Sequence, residues 1–328
     1  MFVWISLFVA VLSYVLVPIV AAFSYRIGAV DVPQDYRRMH RESLPRGGGL
    51  AIFLPFLIGW AILGDFSLFA VSAVSGATLM LAVGLVDDVV CLGAWSKLFF
   101  QVAAALAAVL GGGVGTDWGE VWLAVLWIVL LTNAHNFIDG MDGLFAGCAG
   151  TEGLLLGASF LLIGEYGLTQ MAILLSLACF AFRPYNRHPA RVFAGDCGSE
   201  SVGFLLGALS LALFRTPILS VENLSPLFLF AYPLADLLTA VLRRLLRGRS
   251  PFSADRAHFH HRLYAAGLAV PECVSSLLTV SLSFGAIGVF LRIDALWGVA
   301  AVASALGVLV LWGIRRYVLK SSGALERF

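Results

Sequence analysis

Apolar and polar positions fall in long blocks along this chain, not at the short periods of a water-soluble fold. Eleven apolar runs lie near 2–24, 48–63, 66–86, 98–113, 120–134, 143–163, 168–182, 200–215, 224–242, 274–291 and 295–313, with brief polar segments between them. A helix crossing the hydrocarbon core takes about 20 apolar residues, within roughly 17–25. Each run therefore predicts a helix. The shorter ones, 48–63 among them, are of the kind tolerated where backbone borders a protein-lined cavity instead of lipid. The first run starts at Phe2, and its first basic residue, Arg26, comes only after it. A cleaved signal peptide carries its charge before the apolar run, so 2–24 is expected to be a retained helix.

Composition turns this pattern into a fold class. The 328 residues are 60% hydrophobic and 12% charged, with a mean hydropathy of +0.93, whereas soluble domains carry about 25% charged residues. The expectation is an all-α, polytopic integral membrane protein of about eleven transmembrane helices. Residues 1–313 would form one catalytic transmembrane domain and 314–328 a short basic tail. A net charge of +1 without a concentrated basic patch suggests no nucleic-acid partner. The five cysteines, at 91, 148, 179, 197 and 273, form no CxxC pair and argue against a disulfide framework or a zinc site.

Charge then sets an orientation. With eleven crossings, 19 of the 21 basic residues fall on one side, including Arg26, Arg37, Arg38, Arg41, Arg46, Lys97, Arg183, Arg187, Arg191, the cluster at 243–262 and the tail from Arg315 to Arg327. Arg215 and Arg292 fall on the other. The positive-inside rule makes the crowded side cytoplasmic, with the N-terminus outside and the C-terminus inside. Four polar stretches share that side: VDDVVCLGAWSK (86–97), TNAHNFIDGMDGL (132–144), RVFAGDCGSESVGF (191–204) and SPFSADRAHFHHRL (250–263).

Their residues have a common chemistry. Asp87, Asp88, Asn136, Asp139, Asp142 and Asp196 are hard oxygen donors of the kind that suit Mg²⁺ or Mn²⁺ alongside substrate phosphates. Any one Asp at a helix end reads most simply as a cap or a solvated loop carboxylate. Six such groups from three loops, each beside an apolar run, are costly to desolvate unless a cation compensates. Asn133, Asn136, Asp139 and Asp142 recur every three residues, which drifts about 60° per step on a straight helix. With Gly140 and Gly143 following, the helix is expected to end here and the polar residues to line a cleft mouth. Lys97 lies ten residues after Asp87, close enough to share a site, although a lone lysine there also suits a snorkelling anchor. His258, His260, His261 and Arg262 lack zinc-like spacing but are suited to phosphate oxygens. Carboxylates for a divalent cation, with Lys, His and Arg for phosphates, suggest phosphoryl transfer to or from a membrane lipid.

These four stretches resemble the polyprenyl-phosphate N-acetylhexosamine-1-phosphate transferases (glycosyltransferase 4 type). The similarity runs from VDVPQDYRRMHRESLPRGGGLAIF (30–53) to YPLADLLTAVLRRLLRGRSPFSADRAHFHHRLYAAG (232–267). The HxHHR pattern is similar to the bacterial branch that moves N-acetylglucosamine-1-phosphate onto undecaprenyl phosphate. The resemblance implies Mg²⁺, with Mn²⁺ as a substitute, held by Asp196 with Asn136 and Asp88. It implies roles for the acidic pair Asp87 and Asp88 in metal or lipid-phosphate activation, and for Lys97, His258, His260, His261 and Arg262 at the diphosphate. It also implies substrate contacts from Asn133, Asn136, Asp139 and Asp142, the last two toward the nucleotide, and from Asp31 in the first loop. The implied partners are undecaprenyl phosphate, a UDP-N-acetylhexosamine and membrane lipids, in a bacterial inner membrane, with a homodimer among the expected states. The implied product feeds a cell-envelope glycan. The chain departs from the pattern at Cys91, His135, Cys197 and Glu200, which leaves the sugar open to N-acetylgalactosamine or a deoxy-N-acetyl sugar. A polytopic transporter is the reading from another class. It would place acids near the bilayer midplane, where Asp236 is the one clear example.

Overall fold

The computed structural model describes residues 1–31, 43–64, 66–214, 221–250 and 257–293. Twelve helices are described: α1 (Phe2–Ile27), α2 (Gly48–Leu63), α3 (Leu68–Val90), α4 (Ala94–Gly111), α5 (Trp118–Ile138), α6 (Leu144–Leu162), α7 (Tyr166–Asn186), α8 (Gly195–Ser210), α9 (Leu224–Leu229), α10 (Ala231–Leu246), α11 (Phe259–Ala265) and α12 (Val270–Phe290). Among the described residues seven of them, α1, α3, α4, α5, α6, α7 and α12, are long and apolar enough to cross a membrane. The chain is an all-α, multi-pass membrane protein.

The expected count of eleven is not reproduced among these residues. The 48–63 and 200–215 runs correspond to the 16-residue helices α2 and α8. The 224–242 run is two helices, broken at Phe230. Pro233 accounts for the break, because its ring lacks an N–H and clashes with the carbonyl four residues back, at Leu229. The run at 295–313, the basic tail, and Arg37, Arg38 and Arg41 lie outside the described residues. One element was not anticipated. Two-residue strands β1 (Val30–Asp31) and β2 (Leu44–Pro45) pair antiparallel and bring Asp31 opposite Leu44, two residues before Arg46.

Helix α8 is the axis of the bundle. Apart from Asp196 every residue from Gly195 to Ser210 is buried, as expected of a helix enclosed on all sides. Small residues let its neighbours approach closely. A Cβ on Gly49 of α2 would stand 2.2 Å from the Gly198 nitrogen, and one on Gly84 of α3 would stand 2.5 Å from Cys197. On the outside, α1 presents Trp4, Phe8, Val11 and Val15, side chains suited to lipid. The starts of α2, α4, α6 and α8 meet the ends of α3, α5 and α7 at one end of the bundle, and the polar stretches gather there.

Candidate active site

The site is built around the first turn of α8. That helix has no side-chain cap of its own at Ala194, so its leading N–H groups need acceptors from elsewhere. Asp88, from the last turn of α3, supplies them: Oδ1 accepts from the Asp196 N–H at 3.0 Å and Oδ2 from the Cys197 N–H at 3.1 Å. Replacing Asp88 with alanine is therefore expected to cost about 1–2 kcal/mol of stability through lost capping, measured by thermal unfolding in detergent.

Two cations organise the carboxylates. Arg46, just before α2, reaches Asp88 at 3.4 Å and Asp196 at 3.1 Å. Lys97, in the first turn of α4, contacts Asp196 and lies 3.1 Å from Asp87 and 2.8 Å from Glu200. Asp139 ends α5 and accepts from the Gly195 N–H near Arg46. Burial pushes its carboxyl well above the ordinary carboxylate range, against the pull of Arg46. Burial also opposes the charge on Arg46, but Asp88, Asp196 and Asp139 outweigh it and hold the guanidinium protonated more firmly than usual.

Asn136 donates to Ser199 on α8 at 3.2 Å, so the end of α5 is tied to the same turn. One turn deeper, Asn133 donates to Gln101 of α4 at 2.7 Å. The three-residue repeat thus fans its members onto different neighbours. Asp142 lies apart from the acid cluster and accepts from His188 at 2.8 Å and from the Ala190 N–H at 3.1 Å.

The histidines arrive from the α11 side. Asp236 of α10 takes the His258 Nδ1 at 2.9 Å and the Phe259 N–H at 2.8 Å. Asp236, read from sequence as an intramembrane acid, is buried and orients the first histidine. His258 stacks on His260, 5.7 Å between centroids, and packs edge-on against Phe137 of α5 at 5.2 Å. Arg244 covers the same Phe137 ring at 5.2 Å. A Cβ on Gly140 would stand 3.0 Å from His260 Nε2, so the imidazole faces the α5–α6 connection. His261 lies against His260, with centroids 4.2 Å apart, whereas Arg262 is exposed.

His260 is fully buried, and neither ring nitrogen has a hydrogen-bond partner among the described residues. Burial, with the neighbouring His261, lowers its pKa from 6.5 to about 3. Between those values the unfolded chain binds a proton that the folded chain refuses, so this group makes stability fall as pH drops from about 6.5 toward about 3. Above that window it contributes no pH dependence. His260→Gln should flatten the acid side of a melting-temperature-versus-pH curve.

The sequence missed two contributors. Arg46 reads from sequence only as an orientation residue, and its position directly before Gly47, Gly48 and Gly49 is the signal that it does more. Glu152 is a second intramembrane acid, fully buried on α6, 2.7 Å from His135 and 3.4 Å from Ser281. This contact gives the unusual His135 a structural partner. Glu200, another of the departures, is one of the carboxylates on Lys97. Cys91 ends α3 in the left-handed region at φ 55° and Cys197 is buried.

The donor set also bears on a divalent cation. Among the described residues, no three His, Cys, Asp or Glu side chains form a preassembled metal group. Yet Asp87, Asp88, Asp139, Asp196 and Glu200 crowd around two cations, and the carboxyls of Asp87 and Asp196 are in hydrogen-bonding contact. Carboxylates so placed require a shared proton or further positive charge. The residues fit a hard divalent ion.

The membrane-helix bundle thus gathers acids, amides, histidines and two cations at one end. The Glycosyl transferase family 4 profile matches residues 70–214. The chain is 31% identical over 299 residues, 86% of its length and 83% of the relative's, to the "Probable undecaprenyl-phosphate N-acetylglucosaminyl 1-phosphate transferase" of Bacillus subtilis (strain 168). It is 33% identical over 80% of its length, and 75% of the relative's, to the "Decaprenyl-phosphate N-acetylglucosaminephosphotransferase" of Mycolicibacterium smegmatis. It is 28% identical over 85% and 87% to the "Undecaprenyl-phosphate alpha-N-acetylglucosaminyl 1-phosphate transferase" of Thermotoga maritima. The chain belongs to glycosyl transferase family 4.

Proposed function

We propose that this protein transfers N-acetylglucosamine-1-phosphate from UDP-N-acetylglucosamine to undecaprenyl phosphate, releasing UMP. The reaction would be the first membrane step of a cell-envelope glycan, at the cytoplasmic face of a bacterial plasma membrane. The basic residues favour an N-terminus outside and a C-terminus inside. The observation that carries the reading is the set of carboxylates around Lys97 and Arg46 at the ends of membrane helices. The names of the three relatives agree on a polyprenyl phosphate and N-acetylglucosamine.

A phosphate oxygen of the acceptor attacks the β-phosphorus of the donor, the bond to UMP breaks, and the electron pair leaves with UMP. A phosphate monoester has a second pKa near ~6, so the nucleophile is already largely ionised. No strong base is needed, and Asp87 and Asp88 serve better to hold charge than to take a proton. Lys97 and Arg46 offset negative charge on the diphosphate, and His260 offers a neutral imidazole to substrate oxygens. Asp196, Asn136 and Asp88 would hold Mg²⁺, which supplies charge neutralisation on the diphosphate when bound.

The test is UMP release when the purified protein meets a UDP-sugar, Mg²⁺ and undecaprenyl phosphate. UDP-N-acetylgalactosamine and deoxy-N-acetyl donors complete the panel. No UMP with any UDP-N-acetylhexosamine would remove the reading. A sugar-phosphate adduct on Asp87 or Asp88, trapped without acceptor, would replace direct displacement with a covalent route.

A further inference from the structure

Apart from the acid cluster, a cavity of about 610 Å³ opens between α1, the end of α7 with its following loop, and the start of α12. Arg183, Arg187 and Arg191 stand on its wall. None of the three forms an ion pair among the described residues, and the buried Nε of Arg183 has no hydrogen-bond partner there. The one carboxylate on the wall, Asp142, is already engaged by His188 and the Ala190 N–H. The cavity therefore carries an uncompensated positive charge and the forked donors that bind phosphate bidentately.

Its surroundings indicate the source of that phosphate. Tyr14 and Tyr185 line it with ring centroids 5.0 Å apart. On α1, Val11, Tyr14 and Val15 are 62%, 48% and 52% exposed, on a surface suited to lipid. Arginines at and just after the end of α7, beside a lipid-suited face of α1, offer a cationic seat to a lipid phosphate. We propose that this cavity holds the phosphate of an anionic phospholipid head group; because Asp142, which the resemblance assigns to the nucleotide, shares its wall, UMP is the competing occupant that the test separates. Its occupant braces the α5–α6 connection, because Asp142 and Gly143 form part of the same wall.

The test measures binding, so it stands or falls apart from the transferase reading. Full-length protein in neutral detergent is melted with phosphatidylglycerol, phosphatidylcholine, undecaprenyl phosphate, inorganic phosphate or UMP. Phosphatidylglycerol is expected to raise the unfolding temperature by about 2–4 °C, with no rise from phosphatidylcholine. Arg187→Gln with Arg191→Gln, both at exposed positions, should abolish that rise without altering the melting of the lipid-free protein. Adding Arg183→Gln extends the series if the chain still folds. A rise that survives the double substitution would overturn the proposal. So would an equal rise with inorganic phosphate, UMP or undecaprenyl phosphate that disappears in the double variant, because the cavity would then serve a different ligand.

Discussion

Asp196→Asn is expected to lower sugar-phosphate transfer by at least 10²–10³-fold, the scale of removing one preorganised charge-stabilising group from a reaction centre, while the protein stays folded. Among the described residues Asp196 is the one carboxylate that both Arg46 and Lys97 contact, and it touches the Asp87 carboxyl as well. The asparagine keeps the shape but loses the charge that would help hold a divalent cation. Neither cation is stranded, since Arg46 retains Asp88 and Lys97 retains Asp87 and Glu200. Relief of crowding among the acids offsets part of what is lost. UMP release and melting temperature, measured on the same preparation, separate the two effects. Turnover within tenfold of the parent would show that Asp196 is structural.

Gly195→Ala should act in the opposite way, removing folded protein and activity together. Gly195 has φ +73°, in the left-handed region, where a Cβ costs roughly 1–2 kcal/mol. Space is the larger problem: the new Cβ would stand 1.8 Å from the Arg46 carbonyl oxygen and 2.6 Å from Asp88 Oδ2. Backbone must shift on one side or the other, and either shift displaces a residue that holds Asp196. Gly93→Ala provides the control, because φ is −70° and nothing lies within 4 Å of the added carbon. That variant should melt within about 0.5 kcal/mol of the parent. If Gly195→Ala is expressed, folds and turns over like Gly93→Ala, the packing described around α8 is wrong.

Much of the site was legible because its residues are expensive where they stand. Asp87, Lys97, Asn136 and Asp196 are polar groups beside long apolar runs, and charge in such a setting needs a partner. The ten-residue spacing of Asp87 and Lys97 suggested a shared site, and the two are paired. Arg46 was hidden because an arginine at a helix end has a sufficient reason to be there, namely orientation. The use of Asp88 as a cap for α8 was also hidden, since the two are joined only through packing across 108 residues of sequence. The role of Asp236 was hidden for a related reason. Its apolar neighbours describe the helix it sits on, whereas its partner His258 arrives from 22 residues later.

By itself the amino-acid order determined that this chain is helical, lies in a membrane and concentrates its polar chemistry at one end. Each of these follows from the cost of putting unpaired backbone or charge into hydrocarbon, a cost that local composition records. Tertiary structure decided which acid faces which cation, that α8 lies at the centre, and that three arginines share a cavity whose carboxylate, Asp142, is engaged by His188 and the Ala190 N–H. Those outcomes depend on close approach at Gly49, Gly84 and Gly195 between segments far apart in the chain. No local pattern encodes such contacts, because a glycine's use depends on what packs against it.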